Sequence, residues 1–287
     1  MDCTIEKAYA KINFTLPVLG RRRDGYHEVD TVMHSISLSD TITLAPAETI
    51  TLAVTEGQAP EGPENLMWQA AQAFFRLTGL KGGAAMTLAK RIPSEAGLGG
   101  GSADAAAVLR GLNRMTGAGL PAHVLERAAA SLGADIPFCV RGGCARCGGI
   151  GDILFPLPAW PGLSLLIVRP NISVSTGGAY REIDKRKSPS KNTSGKAVRA
   201  IAGRNLSALI SALSNDFEAA LFPIAPVLRE TKKELTACGW PAMMSGSGSA
   251  FFMMLPRKER PAAAQSLRAA YPEWFVEETE TVGAAEL

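Results

Sequence analysis

Between Pro93 and Ala107 the chain reads PSEAGLGGGSADAAA, with glycine at 97, 99, 100 and 101. Before this stretch, Ala84, Met86 and Leu88 alternate with Ala85, Thr87 and Ala89 as far as Ile92, a strand pattern closed by Pro93. After it, the alanine-rich run from Ala103 to Leu112 favours a helix that Ser102 or Asp104 could cap. The order is therefore strand, glycine loop, helix. Glycines allow φ > 0 and close backbone approach, so several N–H groups can converge on an anion where the helix dipole also favours negative charge. No Lys-Ser or Lys-Thr follows, as a Walker A loop requires, and Ser102 stands where a dinucleotide fingerprint has its third glycine. A phosphate cradle and a plain strand-to-helix turn both fit the stretch alone, and the rest of the chain must choose.

The chain of 287 residues is 46% hydrophobic and 20% charged, enough for one large core or two smaller ones. A net charge of +3 does not point to nucleic acid or to an anionic membrane surface. No apolar run reaches the roughly 20 residues of a spanning helix, and the N-terminus lacks a signal-peptide layout, so the expected location is the cytoplasm, with no membrane partner. Five cysteines, an odd number, argue against a disulfide framework there. Cys144 and Cys147 form a lone CxxC without a second ligand pair, and no metal-ligating residues are expected.

From Ile5 to Leu16, Ala8, Ala10, Ile12, Phe14 and Leu16 fall on one strand face, and Lys7, Tyr9, Lys11, Asn13 and Thr15 on the other. Lys11 and Asn13 thus stand side by side. A charged turn from Arg21 to Gly25 leads to Tyr26 and His27 at the entrance of the next strand, where they could meet a base or cap an apolar edge. Asp40 to Val54 reads as further strand, Ala59 to Asn65 as a Pro/Gly loop, and Leu66 to Leu77 as a helix. A later helix stops at Gly133, and Pro137 should prevent its resumption, leaving Asp135 in a tight loop before an apolar strand from Phe138 to Val140. Such a carboxylate fits a general base or a turn residue. GGIGD at 148–152 reads as a connection between halves. The composition shifts near Pro156, so the expected domains are 1–157 and 158–287. Arg181 to Arg204 reads as a mobile basic loop, and Met244 to Leu255 as a second glycine-serine loop running into a strand.

Taken together, AGLGGGSADAA and SGSGSAFF resemble the phosphate loop and the C-terminal glycine motif of the GHMP kinase superfamily. Within it, AKINFTLPVLGRRRDGYHEVDTVM, GADIPF and NDFE are similar to the kinases that phosphorylate 4-diphosphocytidyl-2-C-methyl-D-erythritol. The resemblance spans nearly the whole chain. It implies an α+β fold: a two-domain sandwich whose second domain is ferredoxin-like.

It also implies ATP as co-substrate with Mg²⁺, a small-molecule acceptor, and a monomer or homodimer. By motif position Asp135 matches the catalytic aspartate and Lys11 the lysine that orients it. Pro93, Ser94, Glu95, Ala96, Gly97, Leu98, Gly99, Gly100, Gly101, Ser102 and Ala103 match the ATP loop, with Asn65 near the adenine site. Asn13, Tyr26, His27 and Tyr180 match substrate positions, Tyr26 stacking on cytosine and His27 bonding its edge. Glu95 and Ala103 depart from the family pattern, and the basic 181–204 stretch matches none of its motifs. A GHMP kinase for homoserine or mevalonate, or a nucleic-acid-binding protein using the basic stretch, are the alternatives.

Overall fold

The strict alternation along the first strand survives only in its first half. Lys7 is exposed where Ala8 is buried, but from Ala10 to Leu16 every residue is buried, because a second layer of the molecule covers the polar face. The computed structural model describes residues 3–186 and 190–284. The chain runs β1 (Thr4–Leu16), β2 (Val18–Arg21), β3 (His27–Val29), β4 (Thr31–Ala47), β5 (Thr51–Glu56), α1 (Leu66–Thr78), β6 (Gly83–Ala89), α2 (Gly100–Met115), α3 (Ala122–Ala130) and α4 (Ile136–Arg141). Next come β7 (Cys144–Gly148), β8 (Ile153–Leu157), β9 (Ser164–Arg169), α5 (Thr176–Asp184), α6 (Ser194–Ala202), α7 (Leu206–Ala212) and β10 (Ser214–Asn215). The last elements are α8 (Asp216–Leu221), α9 (Pro226–Ala237), β11 (Ala242–Met244), β12 (Phe251–Met254), α10 (Arg260–Ala270) and β13 (Phe275–Glu280).

The first sheet has the order β10-β1-β4-β6-β5, with the β7-β8 hairpin branching from β4. Long β4 makes this possible: its start pairs with β7 and its end with β6. The alanine face of α2 packs on this sheet, and the fit is close: a Cβ on Gly111 would lie 2.1 Å from the Leu44 side chain. The second sheet is antiparallel, β11-β12-β9-β13. With α9 and α10 as its crossovers, this is the ferredoxin-like arrangement expected. β9, β11 and β12 are buried on both faces. Leu165, Ile167, Phe252 and Met254 join the first core, while Leu166, Val168, Phe251 and Met253 join a second beneath the C-terminal helices. An edge-to-face contact of Phe14 with Phe252, centroids 6.0 Å apart, ties the layers together.

The expected boundary near 157 falls between β8 of the first sheet and β9, the first strand of the second. The chain then returns: Ala197, Ile201 and Leu209 enter the first core, and β10 pairs in parallel with β1.

Several local expectations need correction. Phe138 to Val140 lie in α4, with Pro137 in its first turn rather than blocking it; proline is well tolerated there because those N–H groups lack helical partners, and three apolar residues cannot tell strand from helix. Asp40 to Val54 is broken, since β4 ends at Ala47 and β5 starts at Thr51. The GGIGD stretch makes the turn of the β7-β8 hairpin and does not join two halves. The 181–204 stretch is largely helical in α5 and α6, with 187–189 outside the described residues. Neither Ser102 nor Asp104 caps α2; the N-cap is Gly99.

Candidate active site

Gly99 takes the left-handed conformation at φ 69°, and α2 begins at Gly100 with no side-chain cap. The first N–H groups of the helix are therefore left for a ligand. The loop before it is held from two sides. From β1, the Lys11 N–H donates to the Leu98 carbonyl at 3.0 Å. From the 244–250 loop, the Ala250 N–H donates to Ala96 O at 3.0 Å and Ser245 Oγ to Gly97 O at 2.9 Å. A Cβ on Gly97, itself at φ 73°, would lie 2.1 Å from the Ser245 carbonyl oxygen. The two glycine motifs are thus one packed unit.

Directly under Gly99 lies an ion pair. Lys11 Nζ is 3.3 Å from Asp135 Oδ2 and donates to Asn13 Oδ1 at 2.8 Å. The lysine side chain is 4% exposed and the aspartate 34%, so the carboxylate is the member that meets solvent. Asp135 stands at the N-cap of α4 but makes no capping bond. Asn13 Oδ1 also accepts the Gly246 N–H at 3.1 Å, and Asn13 Nδ2 donates to Thr31 Oγ1 at 2.8 Å. Asn215, in turn, donates to the carbonyls of Met244 and Gly246 at 2.7 and 2.8 Å. A chain of hydrogen bonds therefore runs from the C-terminal layer to the lysine.

Behind the helix start sits a second charged group. Lys90 Nζ pairs with Asp104 Oδ2 at 2.8 Å and with Asp40, all three nearly or fully buried. Burial works against the Lys90 charge, but Asp104 and Asp40 outweigh it and hold its pKa above the usual lysine range. Burial pushes the Asp104 carboxyl up to about 8, with Asp40 adding to the rise and Lys90 opposing it. Asp40 Oδ1 also accepts the Ile92 N–H at 2.8 Å, which fixes the chain entering the glycine loop. A Cβ on Gly100 would lie 3.1 Å from Lys90 Nζ, so this charge stands just behind the helix start.

At the far end, Tyr26 is 61% exposed. His27 is buried and stacks on Tyr180, centroids 4.6 Å apart and planes 17° from parallel, and Tyr180 meets the edge of Phe217 at 4.9 Å. Burial pushes the Tyr180 hydroxyl up to about 12, so the ring stays neutral. His27 Nε2 bonds Asp184 Oδ1 at 2.7 Å, and Arg21 lies 3.8 Å from the other carboxylate oxygen.

One cavity of about 820 Å³ joins these parts. It is lined by Lys11, Asn13, Tyr26, His27, Asn65, Asp135, Tyr180 and every loop residue from Pro93 to Ser102. Ala103 is not among them; it is buried in the core face of α2. The side chains of Ala96 and Leu98 are also buried, which leaves their backbone for the ligand. Glu95 is exposed at φ 51°. The Asn65 amide is already engaged, accepting from Met67 N–H at 2.8 Å to cap α1 and donating to Pro60 O at 2.7 Å.

Sequence reasoning passed over Lys90, Asp40, Asp104, Arg21, Asp184 and Asn215. Asp104, a charge within an alanine run, and Asn215, the first residue of NDFE, left a signal; the others depend on partners 14 to 163 residues away. Cys139 and Cys144 are buried, which pushes their thiols up to about 12, and Cys144 and Cys147, three apart on β7, face opposite sides of the sheet. Among the described residues no cluster of three His, Cys, Asp or Glu could hold a metal ion, and no helix is long and apolar enough to cross a membrane.

Residues 65–143 match the GHMP kinases N terminal domain, and residues 196–273 the GHMP kinases C terminal domain. The molecule is an ATP-dependent small-molecule kinase of this α+β class. A 4-diphosphocytidyl-2-C-methyl-D-erythritol kinase from Geobacter metallireducens is 41% identical over 94% of this chain and 95% of its own. One from Moorella thermoacetica is 41% identical over 97% and 100%. The crystal structure of a 4-(cytidine 5'-diphospho)-2C-methyl-D-erythritol kinase superposes with a TM-score of 0.81 at 34% identity, covering 97% of this chain and 100% of that one. A homoserine kinase from Cytophaga hutchinsonii shares the fold, TM-score 0.77, at 17% identity. The chain belongs to the family of 4-diphosphocytidyl-2-C-methyl-D-erythritol kinases.

Proposed function

We propose that this protein transfers the γ-phosphoryl group of ATP to the 2-hydroxyl of 4-diphosphocytidyl-2-C-methyl-D-erythritol, a step of the non-mevalonate route to isoprenoid precursors. The observation that carries this reading is the Lys11–Asp135 pair, set under the start of a glycine-loop helix in the same cavity as the Tyr26, His27 and Tyr180 rings. Phosphoryl transfer needs alignment and charge neutralisation more than covalent help from the protein. The N–H groups at 97–102 bind phosphate oxygens. Asp135, the exposed member of its pair, accepts the acceptor hydroxyl proton, and buried Lys11 holds the carboxylate and offsets charge on the attacking oxygen. Asn13 fixes the lysine. Tyr26 and Tyr180 provide the aromatic surfaces for the base, and Asn65 stands near the adenine, offering its backbone because its amide is engaged.

Mg²⁺ usually keeps waters and substrate phosphates among its ligands, so the absence of a three-carboxylate cluster among the described residues suits an ion carried by ATP. Ser102, lining the cavity in the first turn of α2, is the residue that would approach it, and the ion would neutralise phosphate charge. The two parts of the chain, 1–157 and 158–287, then supply the ATP loop with the ion pair and the substrate-side wall, in a cytoplasmic monomer or homodimer.

The homoserine and mevalonate readings rest on neighbours that share only the fold. The nucleic-acid reading loses its open basic loop, since α5 and α6 occupy most of 181–204. The test is to mix protein, ATP, Mg²⁺ and 4-diphosphocytidyl-2-C-methyl-D-erythritol and follow ADP release and product mass. A gain of one phosphate is expected; no ADP above the substrate-free control, from folded protein that binds ATP, sinks the substrate assignment.

A further inference from the structure

A carboxylate can only accept a hydrogen bond, so a short contact between a carboxylate and an imidazole nitrogen determines which nitrogen carries the proton. His27 makes such a contact: its Nε2 lies 2.7 Å from Asp184 Oδ1, near the C-terminal end of α5. Nε2–H is therefore the donor, and in the neutral ring Nδ1 has no proton. Asp184 is itself held, with Arg21 at 3.8 Å from its second oxygen. The ring is held too, buried and stacked on Tyr180, which packs against Phe217. The tautomer and the plane of His27 are thus imposed by three residues distant in sequence, and all of them line the cavity.

We propose that Asp184 is a specificity-determining positioning residue: by accepting the hydrogen bond of His27 Nε2–H it keeps the proton on Nε2 and leaves Nδ1 as an acceptor, and the base pocket then selects a base offering an exocyclic amine over one offering a carbonyl. The proposal rests on the reading that the cytidine base lies against Tyr26, His27 and Tyr180. Cytosine carries an amine where uracil carries a carbonyl oxygen. An acceptor nitrogen satisfies the first and repels the second, and an unsatisfied buried polar group is the usual source of strong discrimination. Asp184 never touches the base in this scheme; it acts through the ring.

The other two histidines make the test sharp, because the chain has three in all. His34 has the opposite tautomer: its Nε2 accepts the Trp160 N–H at 3.1 Å and its Nδ1–H donates to Ser35 O at 2.9 Å. His123 is exposed. Nitrogen-15 spectra of the whole protein at neutral pH should show one ring protonated at Nε2, assigned to His27 by its loss in His27→Gln, and one protonated at Nδ1. In Asp184→Asn, whose amide can donate or accept, the His27 pattern should shift toward exchange between tautomers while His34 stays unchanged. In kinetics, the wild type should favour the cytidine substrate over its uridine counterpart by roughly tenfold to a hundredfold in kcat/KM, the scale of one frustrated buried hydrogen bond. Asp184→Asn should erase most of that ratio through KM with kcat nearly unchanged, and Asp184→Glu should restore part of it. A wild-type His27 ring protonated at Nδ1, singly or doubly, overturns the proposal whatever the substrate is. A correct tautomer with a base preference that Asp184→Asn leaves intact also overturns it. No turnover of either nucleotide substrate by wild-type protein showing that tautomer counts against the proposed function instead.

Discussion

The two ends of the cavity are built by opposite means. At the proposed phosphate end the groups left for a ligand are backbone N–H groups, and side chains serve to pack, pair and hold them: Ala96 and Leu98 are buried, Gly97 sits against Ser245, and the Lys90–Asp40–Asp104 cluster is sealed behind the helix start. At the proposed base end the groups are side chains, Tyr26 open to solvent and His27 held by Asp184 and Tyr180. A phosphate carries the same charge and shape in every nucleotide, so a rigid backbone cradle serves it. A base differs from others in its edge and offers two flat faces, which aromatic rings and a fixed imidazole can match.

If this division is right, changes at the two ends should fail differently. The largest effect is expected between them. Asp135→Asn should lower kcat by about 10²- to 10⁴-fold, the usual scale of a lost general base, with ATP affinity measured by calorimetry nearly unchanged. Near-normal turnover would remove Asp135 from its role. Next, Lys90→Met leaves the buried Asp40 carboxylate without its cation and the Asp104 carboxyl without a hydrogen-bond partner, and should cost about 3–5 kcal/mol of stability in urea unfolding. Because that cluster stands behind Gly100, ATP affinity should fall with it.

Gly97→Ala adds a methyl group where the Ser245 carbonyl lies and where φ is positive. Strain and overpacking together should cost about 2–4 kcal/mol and weaken ATP binding before substrate binding. The pH dependence of stability probes the same end. With its pKa raised from an ordinary 3.8 to about 8 by burial, Asp104 is protonated in the folded state where the unfolded chain would ionise it. Its contribution is full below pH 4, declines as pH rises toward 8, and is constant beyond. Asp104→Asn should flatten the urea midpoint across that window. The smallest effect should come from Tyr26→Ala at the exposed base end: KM for the nucleotide substrate up by about five- to tenfold, the worth of one stacking contact, with ATP affinity and stability unchanged. A loss of stability comparable to that of Gly97→Ala would abolish the contrast between the ends.

The strand, glycine loop and helix were legible because their requirements are local. Glycines at 97 and 99, a strand before and an alanine run after are enough to place a loop between strand and helix, and the structure starts its helix at Gly100 with Gly99 as the N-cap. The alternation from Ile5 to Leu16 likewise put Lys11 beside Asn13, now 2.8 Å apart. Asp135 could be singled out but its surroundings could not: Phe138 to Val140 form a helix turn, and the lysine it pairs with lies 124 positions earlier, on β1. Asp184 carried no local signal, since an aspartate in a basic stretch reads as a solvated charge until α5 brings it to His27.

By itself, then, the sequence determined where a glycine loop joins strand to helix, which strand face carries polar groups, and through its motifs the GHMP kinase resemblance, because propensity, glycine freedom and periodicity act within a few residues. The tertiary structure alone decided which charges meet. It buried Lys90 between two aspartates, closed the 244–250 loop on Gly97, and brought Asp184 against His27. Burial and electrostatic pairing depend on distance in space, and in this chain those distances are set only when elements far apart in sequence pack together.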